Sequence, residues 1–230
     1  MGHHVLAGNP PVELCLRRSP QARRISLRIS GLDGRVTLTI PRGVSEAEAL
    51  DFARSREDWL RSHLAEQQDR VAVGLGSEIP VEGKLLRIAP CSGRRVQHAP
   101  AQLLVPGPAD TVPARLEGWL KARARDRLAA ASDHYAGLLG RRYTRLTLRD
   151  TRSRWGSCSS SGALSYSWRL ILAPPQVLDY VAAHEVAHLA QMNHSAAFWA
   201  EVTGLMPDYE TPRGWLRREG SGLHRYRFSD

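Results

Sequence analysis

Apolar and polar residues alternate in Ile25-Ser-Leu-Arg-Ile29 and Val36-Thr-Leu-Thr-Ile40, which predicts β-strands within residues 12–40. The link Gly31-Leu-Asp-Gly34 has turn chemistry, so the two runs are expected to form a hairpin that Pro41 closes. The period then changes. Ser45 and Glu48 form a Ser-x-x-Glu capping box, and Phe52, Trp59, Leu60 and Leu64 keep helical spacing to about Gln68. Residues 78–105 read as short strands with turns at Glu82-Gly83 and Ser92-Gly93. The stretch Pro106-Gly-Pro-Ala-Asp110 is the expected boundary. It divides a mostly β region with one helix, residues 1–108, from a second domain, residues 109–230.

A long helix is predicted from about Val112, with Pro113 in its first turn and Gly140 as its stop. Its apolar stripe is Leu116, Trp119, Leu120, Ala124, Leu128, Ala131, Tyr135 and Leu138. Leu146 to Arg152 reads as a strand, Gly156 to Gly162 as a turn-rich loop, and Leu164 to Leu172 as a second strand with Tyr166, Trp168 and Leu170 on one face. Pro174-Pro175 opens a helix that carries Val177, Leu178, Val181 and Ala182. Ser195 is the expected cap of another helix, with Phe198, Trp199, Val202 and Met206, stopped by Pro207. A last short helix spans roughly Thr211 to Arg218. The whole reads as α+β.

Composition adds bounds. In 230 residues, 42% hydrophobic and 24% charged, there is enough apolar surface for a real core. No apolar run approaches the ~18 residues of a membrane span, so no membrane partner is expected. The N-terminus lacks a basic stretch leading into an apolar one, so no signal peptide is expected. Cys15, Cys91 and Cys158 are odd in number and widely spaced, which argues for a reducing compartment and a cytoplasmic protein. The formal net charge is +9, and arginines cluster at Arg94-Arg95, Arg141-Arg142, Arg152 to Arg154 and Arg217-Arg218. Such a surface invites nucleic acid as a partner. A plainer account is that arginine replaces lysine generally, since lysine occurs just at Lys84 and Lys121.

The chemistry concentrates in His184-Glu185-Val186-Ala187-His188, an HExxH motif in a helical stretch. Two histidines four apart lie on one helix face and can grip one metal ion. The glutamate between them can take a proton from a metal-bound water. A zinc hydrolase typically uses three protein ligands, and two candidates exist for the third. His194 lies on a short return loop, whereas Glu201 lies on the following helix. Arg154 is a candidate to hold an oxyanion or phosphate and Tyr166 a candidate to contact substrate, while Cys158 reads as a small buried hydrophobe in preference to a reactive thiol or reversible zinc ligand. Asp179 falls roughly 140° around the helix from His184, which suits a surface or capping role.

Four segments in order carry a resemblance: Arg152-Ser-Arg-Trp-Gly-Ser-Cys158, Trp168-Arg-Leu-Ile-Leu-Ala-Pro-Pro175, Leu178 to His188, and Met192-Asn-His-Ser-x-x-Phe-Trp199. Together they resemble the YgjP-like metal-dependent hydrolases, relatives of the SprT-like and WLM metallopeptidases. The resemblance is strong over about residues 110–220 and looser before them. It implies a zincin-like catalytic domain with an active-site HExxH helix, preceded by the mostly β region. It implies zinc on His184, His188 and His194, with Glu185 catalytic. In such folds a strand rims the cleft and pairs with an extended peptide, and Leu164 to Leu172 is the expected rim.

The leading reading is therefore a zinc metallopeptidase acting on protein or peptide. A second activity associated with the resemblance is a nucleotide pyrophosphatase acting on UTP, for which arginines near Arg152 and Arg169 would hold phosphates. No glycine-rich phosphate cradle accompanies it. The third reading is a non-catalytic nucleic-acid-binding protein with a structural zinc.

Overall fold

The structure is a computed structural model, and it describes residues 2–30, 34–65 and 70–229. The chain forms two compact units, Met1–Asp69 and Arg70–Asp230.

The first unit has strands β1 (Gly2–Leu6), β2 (Val12–Ser19), β3 (Ser26–Ile29) and β4 (Val36–Pro41), then helices α1 (Glu46–Arg54) and α2 (Glu57–Ala65). The sheet order is β1-β2-β4-β3, with β2 and β4 parallel and the outer pairs antiparallel. The alternation seen in the sequence works as expected. Leu14, Leu16, Val36, Leu38 and Ile40 are buried together with Ala49, Ala53 and Leu60 of the helices. The β3–β4 antiparallel pair matches the expected hairpin, although Gly31, Leu32 and Asp33 of its link lie outside the described residues. Ser45 caps α1, its Oγ accepting the Glu48 N–H at 3.1 Å. The single helix expected to about Gln68 is divided. Ser55 turns its hydroxyl onto Phe52 O at 2.8 Å and ends α1, and α2 restarts at Glu57. Gln68 itself lies outside the described residues.

The second unit begins with β5 (Val71–Ala72), β6 (Glu78–Val81), β7 (Lys84–Cys91), β8 (Gln97–His98) and β9 (Gln102–Pro106). A 3₁₀ turn, Ala109–Thr111, leads into α3 (Val112–Leu139), which Gly140 ends in the left-handed conformation at φ 65°. Then come β10 (Arg145–Arg149), β11 (Gly156–Cys158) and β12 (Ala163–Ser167), a 3₁₀ turn Trp168–Leu172, α4 (Pro175–Ala187), α5 (Ala196–Leu205), α6 (Glu210–Glu219), a 3₁₀ turn Gly220–His224 and β13 (Tyr226–Arg227). Strands β6-β7-β9-β8 form one sheet, β10-β12-β11 a second, and β5 pairs β13.

Ile79, Ile88, Leu103 and Val105 of the first sheet share one core with the α3 stripe and with Leu178, Val181 and Ala182 of α4. For that reason the division falls at residue 69 and not at Pro106-Gly-Pro. That stretch is a turn inside the second unit, joining β9 to α3, with Gly107 at φ 105°. Two further expectations are corrected near it. Part of the expected loop, Gly156–Cys158, is strand β11. The strand expected over Leu164 to Leu172 ends at Ser167, because Trp168–Leu172 coil into a 3₁₀ turn that buries all five side chains. Strand β12 is also central. It pairs β10 on one side and β11 on the other, so β10 and β11 are the sheet's edges.

Arg169 ties this turn to the end of the chain and is only 8% exposed. Its Nε and Nη2 donate to the two oxygens of Asp150 at 2.7 and 3.1 Å, and Nη1 donates to Leu223 O at 3.2 Å and Tyr226 O at 3.0 Å. Replacing it by methionine would leave that carboxylate and those carbonyls unpartnered. Arg169→Met is expected to lower stability by about 3 kcal/mol in urea unfolding, and a loss below about 1 kcal/mol would contradict this role. Burial, then the Arg169 charge, pushes His224 from 6.5 down to about 4. Between those values the unfolded chain binds a proton that the folded chain refuses, so this residue's contribution to stability rises with pH through that window. The melting temperature should fall on acidification from about pH 7 to about pH 5, and fall less in His224→Gln.

Candidate metal centre

Helix α4 is buried along most of its length, and His184 and Glu185 fall in its last turn with His188 as its C-terminal cap. A helix returns to the same face after four residues, so His184 and His188 converge, with ring centroids 5.1 Å apart. The chain then turns at Met192-Asn193. Asn193 Oδ1 accepts the Ser195 N–H at 3.2 Å, and Ser195 Oγ accepts the Phe198 N–H at 3.5 Å to begin α5. This return brings His194 to the pair, its Nε2 lying 3.1 Å from His184 Nε2. Donor atoms of His184, His188 and His194 all lie within 4.8 Å of one another. Glu201, the rival third donor, is not part of that group.

His184 and His188 are prepared as neutral ligands. Burial, then the neighbouring histidines, push His184 from 6.5 down to about 3, and burial also lowers His188. His188 Nδ1 lies 2.9 Å from Gln191 O; a carbonyl only accepts, so Nδ1 carries the proton and Nε2 presents a lone pair. His184 Nδ1 is buried with no hydrogen-bond partner. The ring's other nitrogen, Nε2, faces His194 Nε2, and two facing imidazole nitrogens are a pair of donors that one cation satisfies.

Phe198 is a residue the sequence reading placed in the helix stripe and did not connect to the centre. It is fully buried and touches all three rings. His188 stacks on it at 4.4 Å, while His184 and His194 meet it edge to face at 4.9 and 4.8 Å. Its spacing of four from His194 was the available signal.

Glu185 is 6% exposed and lies against the edge strand. Burial pushes its carboxyl up to about 8, while the Arg154 charge and the backbone N–H of Cys158 pull the other way. The packing is close: a Cβ added to Gly156 would stand 2.5 Å from Glu185 Cγ and 2.6 Å from Oε1. Gly156 is thus the second residue missed, since its absent side chain is where the carboxylate sits. A cleft of about 230 Å³ opens here, lined by Arg154, Trp155, Tyr180, Val181 and Leu216 as well as His184 and Glu185.

The remaining candidates are distributed as follows. Arg154 lines the cleft beside Glu185. Tyr166 is 1% exposed, with its hydroxyl 3.0 Å from Ser132 Oγ, so it packs the core and presents no face to a substrate. Cys158 is half-buried and outside the three-histidine group, with burial and then Glu185 raising its thiol to about 11. Asp179 is half-buried against α3, 4.0 Å from Arg127, rather than at the surface. Arg169, expected to be available for phosphate, is spent on Asp150 and two carbonyls. No helix among the described residues is long and apolar enough to cross a membrane.

Three convergent imidazoles beside a buried carboxylate define a candidate metallohydrolase centre. The chain belongs to the YgjP-like family: the family's metallopeptidase domain matches residues 23–219. It is accordingly placed among the metallopeptidases, hydrolases that need a metal, and the three histidines are a group able to form its site. No curated protein matches the chain. Among solved structures, it is similar to the crystal structure of the metallopeptidase zymogen of Pyrococcus abyssi abylysin. That likeness has 20% identity and a TM-score of 0.36 over 40% of this chain and 95% of the other, and is too slight to carry an argument.

If Phe198 holds the imidazoles in register, Phe198→Leu should weaken binding of a divalent ion about tenfold in a chelator competition, at a cost of about 1 kcal/mol in stability. Unchanged affinity would show that the rings are oriented without it.

Proposed function

We propose that the protein is a zinc-dependent metallopeptidase that hydrolyses peptide bonds through a metal-activated water, with Glu185 as general base. The observation that carries this reading is the convergence of donor atoms of His184, His188 and His194 within 4.8 Å of one another, with Glu185 lining a cleft together with His184. The three nitrogen donors suit zinc, and the 3.1 Å separation of the His184 and His194 nitrogens is near the ~3.4 Å expected between ligands held ~2.1 Å from a tetrahedral ion. Zinc, when bound, lowers the pKa of a coordinated water toward about 7 and polarises the carbonyl it touches.

The chain's own residues do the rest. Glu185 accepts the proton of a water held in the cleft and delivers it to the departing amine. The Cys158 N–H and the bare Cα of Gly156 hold that carboxylate in one place. Arg154, on the cleft wall, faces the negative charge that develops on the carbonyl oxygen. The rim role passes from the expected strand to β11. Strand β12 is hydrogen-bonded on both sides, whereas β11 has an edge to offer and accepts any sequence through main-chain bonds.

The test uses full-length zinc-loaded protein on an unfolded protein and on internally quenched peptides. Turnover is expected, with loss on chelation. Glu185→Gln should retain one zinc and lose about 10³-fold in kcat. A variant that still turned over, or a wild type that cleaved no peptide, would remove this reading. Gly156→Ala should keep the metal and lose about 10²-fold in kcat, because its methyl group displaces the base. An unaltered kcat would show that Glu185 does not act from where it packs.

A further inference from the structure

A larger cleft, about 490 Å³, opens on the His188 side of the centre. One wall is Arg141-Arg142, just past the end of α3, and the other is the turn Ser159-Ser160-Ser161 between β11 and β12. The turn is tightly built. Gly162, at φ 75°, donates its N–H to Ser159 O at 2.9 Å, and Ser159 Oγ takes the Ala163 N–H at 3.0 Å and lies 2.9 Å from Ser161 Oγ. Thr144 clamps the turn to the arginine wall. Its N–H donates to Gly162 O at 2.9 Å and its Oγ1 to Ser161 O at 3.2 Å. The separation of the two walls is set by these bonds.

The arginine wall carries positive charge, and no acidic residue lines the cleft among the described residues. Neither Arg141 nor Arg142 forms an ion pair among the described residues. The nearby carboxylate, Asp133, accepts instead from Tyr143 Oη at 2.6 Å. The two exposed arginines line the same cleft as the serine turn, and a carboxylate matches a guanidinium fork in a bidentate way.

Strand β11 links this cleft to the smaller one. Its first residue, Gly156, lines the cleft beside Glu185, and the serine turn follows its last residue, Cys158. Three residues of strand span about 10 Å. We infer that the arginine–serine cleft is a carboxylate subsite, which takes an acidic side chain or the terminal carboxylate of a peptide one to three residues from the bond beside Glu185. This rests on the peptidase reading and adds a preference to it.

Fluorescence anisotropy with zinc-loaded Glu185→Gln protein tests it without turnover. Three labelled peptides share one core: one with glutamate at the flanking position and an amidated end, one with glutamine there and an amidated end, and one with glutamine and a free C-terminus. A peptide with a carboxylate should bind about tenfold tighter than the all-amide one. The glutamate peptide winning assigns a side-chain subsite, and the free-ended peptide winning assigns a terminal one. In Arg141→Gln/Arg142→Gln the gap should close to about twofold, and it should narrow as salt rises. Equal binding of all three peptides overturns the inference, as does a gap that survives in the double variant. Arginines that serve only the α3 C-terminus would give that result with a lowered melting temperature. A short oligonucleotide bound in place of peptides, and lost in the double variant, would give the cleft to phosphates and overturn it as well. Cleavage by wild-type protein with no carboxylate preference sinks the subsite alone, whereas absence of any cleavage sinks the peptidase reading.

Discussion

The enclosure of Glu185, which is buried, and of His184, which is half-buried, at the end of α4 sets the terms for what surrounds them. Burial disfavours charge on both groups, lowering the imidazole to about 3 and raising the carboxyl to about 8. Each must be given partners or be paid for in stability. The fold supplies them from three directions: His194 from the return loop, Phe198 from α5, and the Cys158 N–H from β11. A cation would act with burial at the imidazole, favouring the neutral ligand, and against it at the carboxyl, favouring the ionised neighbour.

The second sheet gains its meaning from this constraint. Strand β11 is short, lies at an edge, and must come close enough for Cys158 to reach the carboxylate. Only a residue without a side chain fits at Gly156, because a Cβ there would overlap Glu185. The same approach leaves a cleft at each end of β11, one walled by Trp155, Tyr180 and Leu216 and one by arginines and serines. Arg169 and Trp168, in the turn that follows β12, anchor the chain's last residues, with the guanidinium 4.8 Å from the indole ring. An arginine that a sequence reading offers to phosphate is in this way consumed by structure.

Local patterns were legible where they depend on near neighbours. The Ser45 and Ser195 caps, the Gly140 stop, the α3 stripe and the β3–β4 pair all follow from spacing or turn chemistry within a few residues. Three features were not legible, each for a stated cause. Ser55 divides a helix whose apolar spacing continues across it, because its hydroxyl competes for Phe52 O. Trp168–Leu172 look like a strand by alternation, yet all five side chains are buried, and a 3₁₀ turn can do that where one face of a strand cannot. Pro106-Gly-Pro looks like a linker by composition, but the strands before it and the helix after it bury their apolar faces in one core.

The order of residues alone is enough to put His184 and His188 on one helix face, because a spacing of four is nearly a helical turn. It is also enough to mark Glu185 as their neighbour and the chain as one of a family. The grouping of His194, and not Glu201, with His184 and His188, the ring of Phe198 behind three imidazoles, and the place of β11 at an edge of its sheet came from the tertiary structure. The physical reason is the same in each. These are distances between segments that chain connectivity leaves independent, and they take a value only once α4, α5 and the second sheet pack around one buried helix end.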